Sequence, residues 1–287
     1  MNQDLSSKAM LVKLSISTWT ASKHDKKISK EIADKHGAKS DAGRYNKVLV
    51  AKKALNTINS INNEIRSFHY ENTLPWSDEG LRILPSANFM EYTKKMRELK
   101  AKREAAIRDF VEEYPQYVEE AKERLGDMFS ETDYPHPQEI EHKFAVRTGT
   151  YPMPAAEDFR VRLRKSDTQQ VRKEIEESVK EATSIAIRDL WQRLHDGLSR
   201  ISERLNDPEK IFRDSLITNL TELCALLPKL NITDDPDLEE MRKRVEEKIC
   251  THYPDDLRED KEERKEVAQE ADDILATMSG YIGGGEN

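Results

Sequence analysis

Apolar positions along this chain fall mostly three and four residues apart, with wide polar faces between them, the spacing of amphipathic helix. Val48, Leu55, Ile58, Ile61, Ile65 and Phe68 set one stripe and predict a helix over residues 44–68. Ser86 is placed to cap a second helix, along which Met96, Leu99, Ile107, Phe110, Val111 and Tyr114 follow one another. Pro115 should kink or restart it, and Tyr117, Val118, Ala121 and Leu125 carry it to Gly126. These two helices predict an antiparallel hairpin. Ser166 with Gln169 reads as a capping box that opens the longest helix, 166–206. Its stripe runs from Val171, Ile175, Val179 and Ala182 to Leu205; at 1.5 Å per residue it is about 60 Å long, with Gly197 its soft point. Asp207-Pro208 and Asp235-Pro236 each place a cap and a first-turn proline ahead of helices predicted over 211–227 and 238–249. A last charged helix, 254–278, buries Leu257, Val267, Ala271, Ile274, Leu275 and Met278.

Alternation of period two interrupts this pattern in three places. Val12, Leu14 and Ile16 alternate with Lys13, Ser15 and Ser17, predicting a strand over 10–18. Phe144, Val146 and Thr148 alternate with Ala145, Arg147 and Gly149, predicting another over 143–151. Phe159, Val161 and Leu163 alternate with Arg160, Arg162 and Arg164, predicting a third that closes a hairpin through 151–156, with the N-terminal strand beside it. Residues 74–85, with two prolines and a glycine around Trp76, read as an ordered loop. The expected fold is mainly α with a small antiparallel β element (α+β), with helical-hairpin or coiled-coil-like packing. The expected division is residues 1–165, a C-terminal helical bundle over 166–279, and a frayed tail over 280–287.

Charged residues and the hydrophobic set each make up 36% of the 287 residues, which suits helices with broad solvated faces. The net charge of −8 is unevenly spread, with residues 1–53 basic and residues 231–287 acidic. Such polarity can steer a partner or orient copies head to tail. Cys224 and Cys250 match no zinc or redox spacing and are expected as reduced thiols in a cytoplasmic setting. Nothing approaches the ~20 apolar residues of a membrane span, and the polar start is unlike a signal sequence, so no membrane partner is expected.

Candidate chemistry is sparse. His136, Glu139, Glu141 and His142 lie within seven residues, but not as HExxH and with Pro137 inside, which reads as a solvated loop rather than a metal site. Phosphate-binding glycine loops and a nucleophile elbow are missing from the sequence, so no catalytic residue, metal ligand or cofactor is assigned. The alternation would put Arg160, Arg162 and Arg164 on one strand face, with Arg147 and Lys143 on the neighbouring strand, a face suited to phosphates. The other reading of that face is solvated arginines paired with Glu, since Phe159 is the one aromatic residue that alternates with them and no run of stacking residues does. Trp19 and Trp76 are candidate partner-binding anchors, with core packing as the alternative; Trp191 reads as core. The long 166–206 stripe reads as internal core or oligomer seam, and its four-heavy spacing favours the former.

The run Leu11-Val12-Lys13-Leu14-Ser15-Ile16-Ser17-Thr18-Trp19-Thr20-Ala21-Ser22-Lys23 resembles the opening of a bacterial and phage family of unknown function, often encoded near MoxR-type AAA ATPases and von Willebrand-type proteins. The likeness covers the first half of the chain, including the helical rod after Leu84. It implies a phage or mobile-element accessory protein with an ATPase among its partners, and carries no catalytic residues.

Two functional classes follow as expectations. The first is a non-enzymatic, phage-type interaction or assembly protein whose helices meet a host factor, an ATPase or a second copy. The alternative is a nucleic-acid-binding protein of recombination or replication, using the arginine face and the basic N-terminal region. An enzyme would instead be signalled by an acidic or metal-bearing pocket.

Overall fold

The protein is described here by a computed structural model covering residues 5–77, 80–161, 163–207 and 212–282. In chain order its elements begin α1 (Leu5–Lys8), β1 (Ala9–Ser17), β2 (Ser22–His24), α2 (Lys26–Lys35), β3 (Asn46–Val48) and α3 (Asn56–Glu71). Then come β4 (Leu74–Pro75), β5 (Leu81–Pro85), α4 (Phe89–Leu125), α5 (Pro137–Ile140) and β6 (Ala145–Pro152). The C-terminal half is helical: α6 (Lys165–Asn206), α7 (Asp214–Leu230), α8 (Pro236–Lys248), α9 (Asp256–Glu259) and α10 (Lys261–Ile282). The fold is thus mainly α with a small antiparallel sheet, as expected.

The chain forms two compact units, each assembled from separate stretches of sequence rather than divided at residue 165. One comprises Met1–Lys13, Tyr70–Tyr92 and Gly149–Asn287. The other comprises Leu14–His69 and Thr93–Thr148.

In the first unit the inner half of α6 packs along α10 and α7, and α8 packs on α7 and α10. Ala186, Leu190, Leu194, Leu198, Ile201 and Leu205 supply the α6 side of that core, at the three- and four-residue steps of one helix face. Gly197 is no weak point here: a Cβ on it would lie 3.1 Å from Leu220 Cδ1, so the missing side chain lets α7 approach closely. The apolar face of a sheet closes the core through Leu11, Leu74 and Ile83. Strand order is β4-β5-β1-β6, with β1 and β5 antiparallel (Ala9↔Pro85, Leu11↔Ile83) and β4 on β5 (Leu74↔Ile83). Asp235 caps α8 as predicted, its Oδ1 accepting from the amides of Asp237 (3.0 Å) and Leu238 (3.3 Å). Its Oδ2 accepts from Trp191 Nε1 at 3.1 Å, and the Trp191 ring stacks on Tyr281 at 4.5 Å. Trp191 is core, as expected.

In the second unit Ile58, Ile61 and Ile65 of α3 face Met96, Leu99, Ile107, Phe110 and Tyr114 of α4 as buried stripes. α4 runs as one helix through Pro115. The short β2 and β3 pair antiparallel (Ser22↔Val48, His24↔Asn46), and α2 sits in the connection between them.

Several predicted boundaries are corrected. Residues 44–55 are not helical: β3 and a 3-10 turn, Lys52–Leu55, precede α3, because the extended backbone at Lys47 pairs with β2. Residues 74–85 are not a loop but the strands β4 and β5, with Gly80 at φ +81° in the turn, a conformation that glycine adopts without strain. Ser86 opens a 3-10 turn and makes no side-chain cap. The described residues of 159–164 form no strand; a 3-10 turn at Ala156–Asp158 follows the prolines, and β6 pairs with β1 instead. The Ser166–Gln169 box is absent, since α6 starts at Lys165 with Arg164 as an uncapped N-cap and Ser166 Oγ donates to Asp167. α7 starts at Asp214 rather than 211, and residues 208–211 lie outside the described residues. The last predicted helix is broken at Asp260, whose carboxylate caps α10 through the amides of Glu262 and Glu263. α10 continues through Gly280 to Ile282, so the predicted fraying does not begin at 280; residues 283–287 lie outside the described residues.

Candidate interaction surfaces

The outer half of α6 is the least expected surface. From Lys165 to Glu181 it holds no buried residue, yet Val171, Ile175 and Val179 continue the face that Ala182, Ala186 and Leu190 bury further on. None of the three joins the apolar core of the unit. Just before α6, Val161 (59% exposed) and Leu163 (48% exposed) stand in solvent, as does Tyr151. All three are half-buried, so only part of the stripe's apolar area stays in water, at roughly 25 cal/mol per Å². Charge along the same stretch is segregated. Arg164, Lys165, Arg172 and Lys173 face one acid, Asp167, in the first part; Glu174, Glu176, Glu177 and Glu181 face one base, Lys180, in the second.

The arginine face expected from alternation does not exist as a strand among the described residues. Arg160 is exposed and pairs with Asp158 at 3.6 Å; Arg164 is exposed at the start of α6; Arg162 lies outside the described residues. Arg147 is exposed on β6, and Lys143 is exposed in a 3-10 turn, Glu141–Lys143, both in the second unit. Both tryptophans offered as anchors are half-buried within their own units. Trp19 packs edge-on against Tyr114 (5.7 Å) and beside Phe110 (6.2 Å), while Trp76 rests on the core of the first unit.

The second unit carries the basic surface. Lys26, Lys27, Lys30 and Lys35 on α2 are exposed, as are Lys39, Lys52 and Lys53. Asp25 N-caps α2 through the amides of Lys27 and Ile28, both at 3.0 Å. Lys47 alone among these lysines is withdrawn, its side chain only 7% exposed. Its ammonium lies 2.5 Å from Asp133, 3.1 Å from Asp25 and 3.1 Å from the Met128 carbonyl, and Lys23 reaches Asp133 at 2.8 Å. The Asp133 carboxylate raises Lys47 above its ordinary pKa. Burial pushes Asp133 up, but the ammonium groups of Lys23 and Lys47 outweigh it and hold that carboxyl below its ordinary value. A neighbouring cleft of about 330 Å³ is lined by Thr20, Ser22, Lys52, Asn56 and Asn59 among others. Arg103, buried in the same unit, is held by Asn62 Oδ1 (2.7 Å) and Ser17 O (2.8 Å), and desolvation lowers its pKa.

His136 serves the backbone: its Nδ1 accepts from the amide of Gln138 at the start of α5. No group of three or more His, Cys, Asp or Glu side chains is arranged to hold a metal ion among the described residues. No helix of the described residues is long and apolar enough to cross a membrane.

Fold and surfaces together define a mainly helical chain of two units, with a displayed helix in one and a basic face in the other. No family model, no curated protein and no solved structure matches it.

Proposed function

We propose that this chain is a non-enzymatic interaction or assembly protein that docks through the outer half of α6, in the phage-type accessory role that its N-terminal resemblance implies. The observation that supports this reading is the stripe Val171, Ile175 and Val179, in register with the core face of the same helix and left without core cover. Among the proposed occupants, a host factor, an ATPase or a second copy, the charge layout favours the second copy. Antiparallel pairing about Ile175 sets the basic first part of one helix against the acidic second part of the other, and Lys173 opposite Glu177 of the partner helix.

Light scattering across a concentration series tests it. The expected result is a monomer–dimer equilibrium that Ile175→Asp shifts at least tenfold towards monomer with unchanged helix content. Ile175→Cys should cross-link two copies at the two-fold axis under mild oxidation. A chain that stays monomeric at every concentration, with no cross-link from Ile175→Cys, removes the second copy as occupant.

A second reading rests on the exposed lysines of α2 and its flanks. There the basic face of the second unit contacts nucleic-acid backbone, with Lys143 and Arg147 in the same unit. Titration with labelled single and double strands at two salt concentrations tests it, since phosphate contacts weaken steeply with salt. Changing Lys26, Lys27 and Lys30 to Glu should abolish binding; absence of salt-sensitive binding by the unaltered chain ends this reading.

A further inference from the structure

The cleft of about 330 Å³ in the second unit is built from the β2–β3 ribbon and the start of α3, and its size stands at the lower end of the range that small-molecule sites occupy. Its apolar part is buried: Ala21, Val50 and Leu55. Beside it lie the hydroxyls of Thr20 and Ser22, which touch each other at 3.5 Å. Between those two, Ala21 has φ +49°, a left-handed backbone that is costly for a residue with a Cβ, and its carbonyl accepts from the Leu49 amide at 2.7 Å. The rest of the lining comes from the helical run that begins as the 3-10 turn Lys52–Leu55 and continues as α3. Lys52, Asn56 and Asn59 are four and three positions apart along it and share one face. All three are exposed, and among the described residues Lys52 makes no ion pair and neither carboxamide a hydrogen bond within the chain. No carboxylate lines the cleft among the described residues.

We propose that this cleft binds an adenine mononucleotide, with its phosphate on Lys52 and its base edge on the carboxamides of Asn56 and Asn59.

Each part of that ligand answers a part of the cleft. A carboxamide presents a donor beside an acceptor, the complement of the N6–H and N7 edge of adenine, whereas guanine offers two acceptors on that edge. The apolar residues suit the flat face of the base, and the Thr20 and Ser22 hydroxyls, which both donate and accept, suit the ribose. Lys52 is the one cation of the lining among the described residues, so the cleft neutralises one phosphate and offers no charge to a second or third. The site goes beyond the nucleic-acid reading, because none of the α2 lysines on which that reading rests lines the cleft.

Calorimetric titration of the whole chain with AMP, ATP, GMP, adenosine and inorganic phosphate tests it. AMP should bind saturably, with GMP, adenosine and phosphate each at least tenfold weaker and ATP no tighter. Lys52→Ala should weaken AMP at least tenfold and leave adenosine unchanged, whereas Asn56→Ala combined with Asn59→Ala should weaken both. The three positions are exposed, and circular dichroism confirms that each variant is folded before its affinity is read. Changing Lys26, Lys27 and Lys30 to Glu should leave AMP binding unchanged at moderate salt, so a loss of strand binding in that variant bears on the α2 face alone. An oligoadenylate titrated alongside separates two sources of the same chemistry, the tighter binder identifying the ligand as free nucleotide or unpaired strand residue. No saturable binding of AMP, equal binding of AMP and GMP, phosphate as tight as AMP, or AMP binding unaffected by the double carboxamide variant would each overturn the proposal.

Discussion

Lys47 is the residue on which the second unit's charges converge. It neutralises Asp133 and Asp25 in a site where neither carboxylate has much water, so removing the ammonium leaves two acids facing each other. Lys47→Met is expected to cost about 2 kcal/mol at neutral pH by urea unfolding, below the full range for buried pairs because Lys23 still serves Asp133. The pH dependence has a definite sign. Asp25 lies below 3.8, chiefly through the Ile28 amide and then Lys47, and Asp133 lies below it through the two lysines. Their contribution is therefore complete above about pH 4 and is lost as pH falls through the folded values. Lys47 lies above 10.5, so its share is complete below that pH and is lost as the pH rises through its folded value. In Lys47→Met the acid-side loss should flatten, which urea midpoints at pH 3 and pH 7 would read. Asp235→Ala removes both the α8 cap and the Trp191 partner and should cost about 1–2 kcal/mol in the first unit. The Asp235 cap was readable from Asp-Pro, because a cap and its proline are neighbours in sequence. The Lys47 cluster was not, because its partners come from residues 25 and 133 and no local pattern joins them.

Helices were the most legible elements, and α6 shows why: its stripe needs only its own sequence to be recognised, and its observed bounds fall within one residue of those expected. What the stripe could not reveal is that only its second half meets a core. Gly197 shows the same limit, since a glycine in a helix reads as weakness until α7 is seen against it. Gly197→Val should therefore destabilise by about 2 kcal/mol or more by thermal melting, combining a poorer helix former than Ala with a clash at Leu220. Strands were legible where the alternating segment pairs with another strand, as in β1 and β6. The alternation at 159–164 misled because period two is also what a polar extended segment shows when nothing pairs with it, and Pro152 and Pro154 uncouple it from β6. Two short strands, β4 and β5, were hidden by prolines that sit at strand ends, where they cost no ladder bond.

At the scale of the whole molecule, most of the basic region noted in the sequence, residues 14–53 with the α2 lysines, falls in one unit, while residues 1–13 share the other with the acidic residues 231–287. The fold class was legible because helix and strand periods are local. The two units were not, because each draws on distant stretches and no linker composition marks where one gives way to the other. That interleaving bears on how the chain is made. During synthesis the second unit has every one of its residues once Thr148 has left the ribosome, whereas the first must hold Met1–Lys13 and Tyr70–Tyr92 in waiting until the α6–α10 region emerges. The apolar face of its early strands, Leu11, Leu74 and Ile83, thus waits uncovered for the time it takes to translate more than a hundred codons, the interval in which a nascent-chain chaperone would find it.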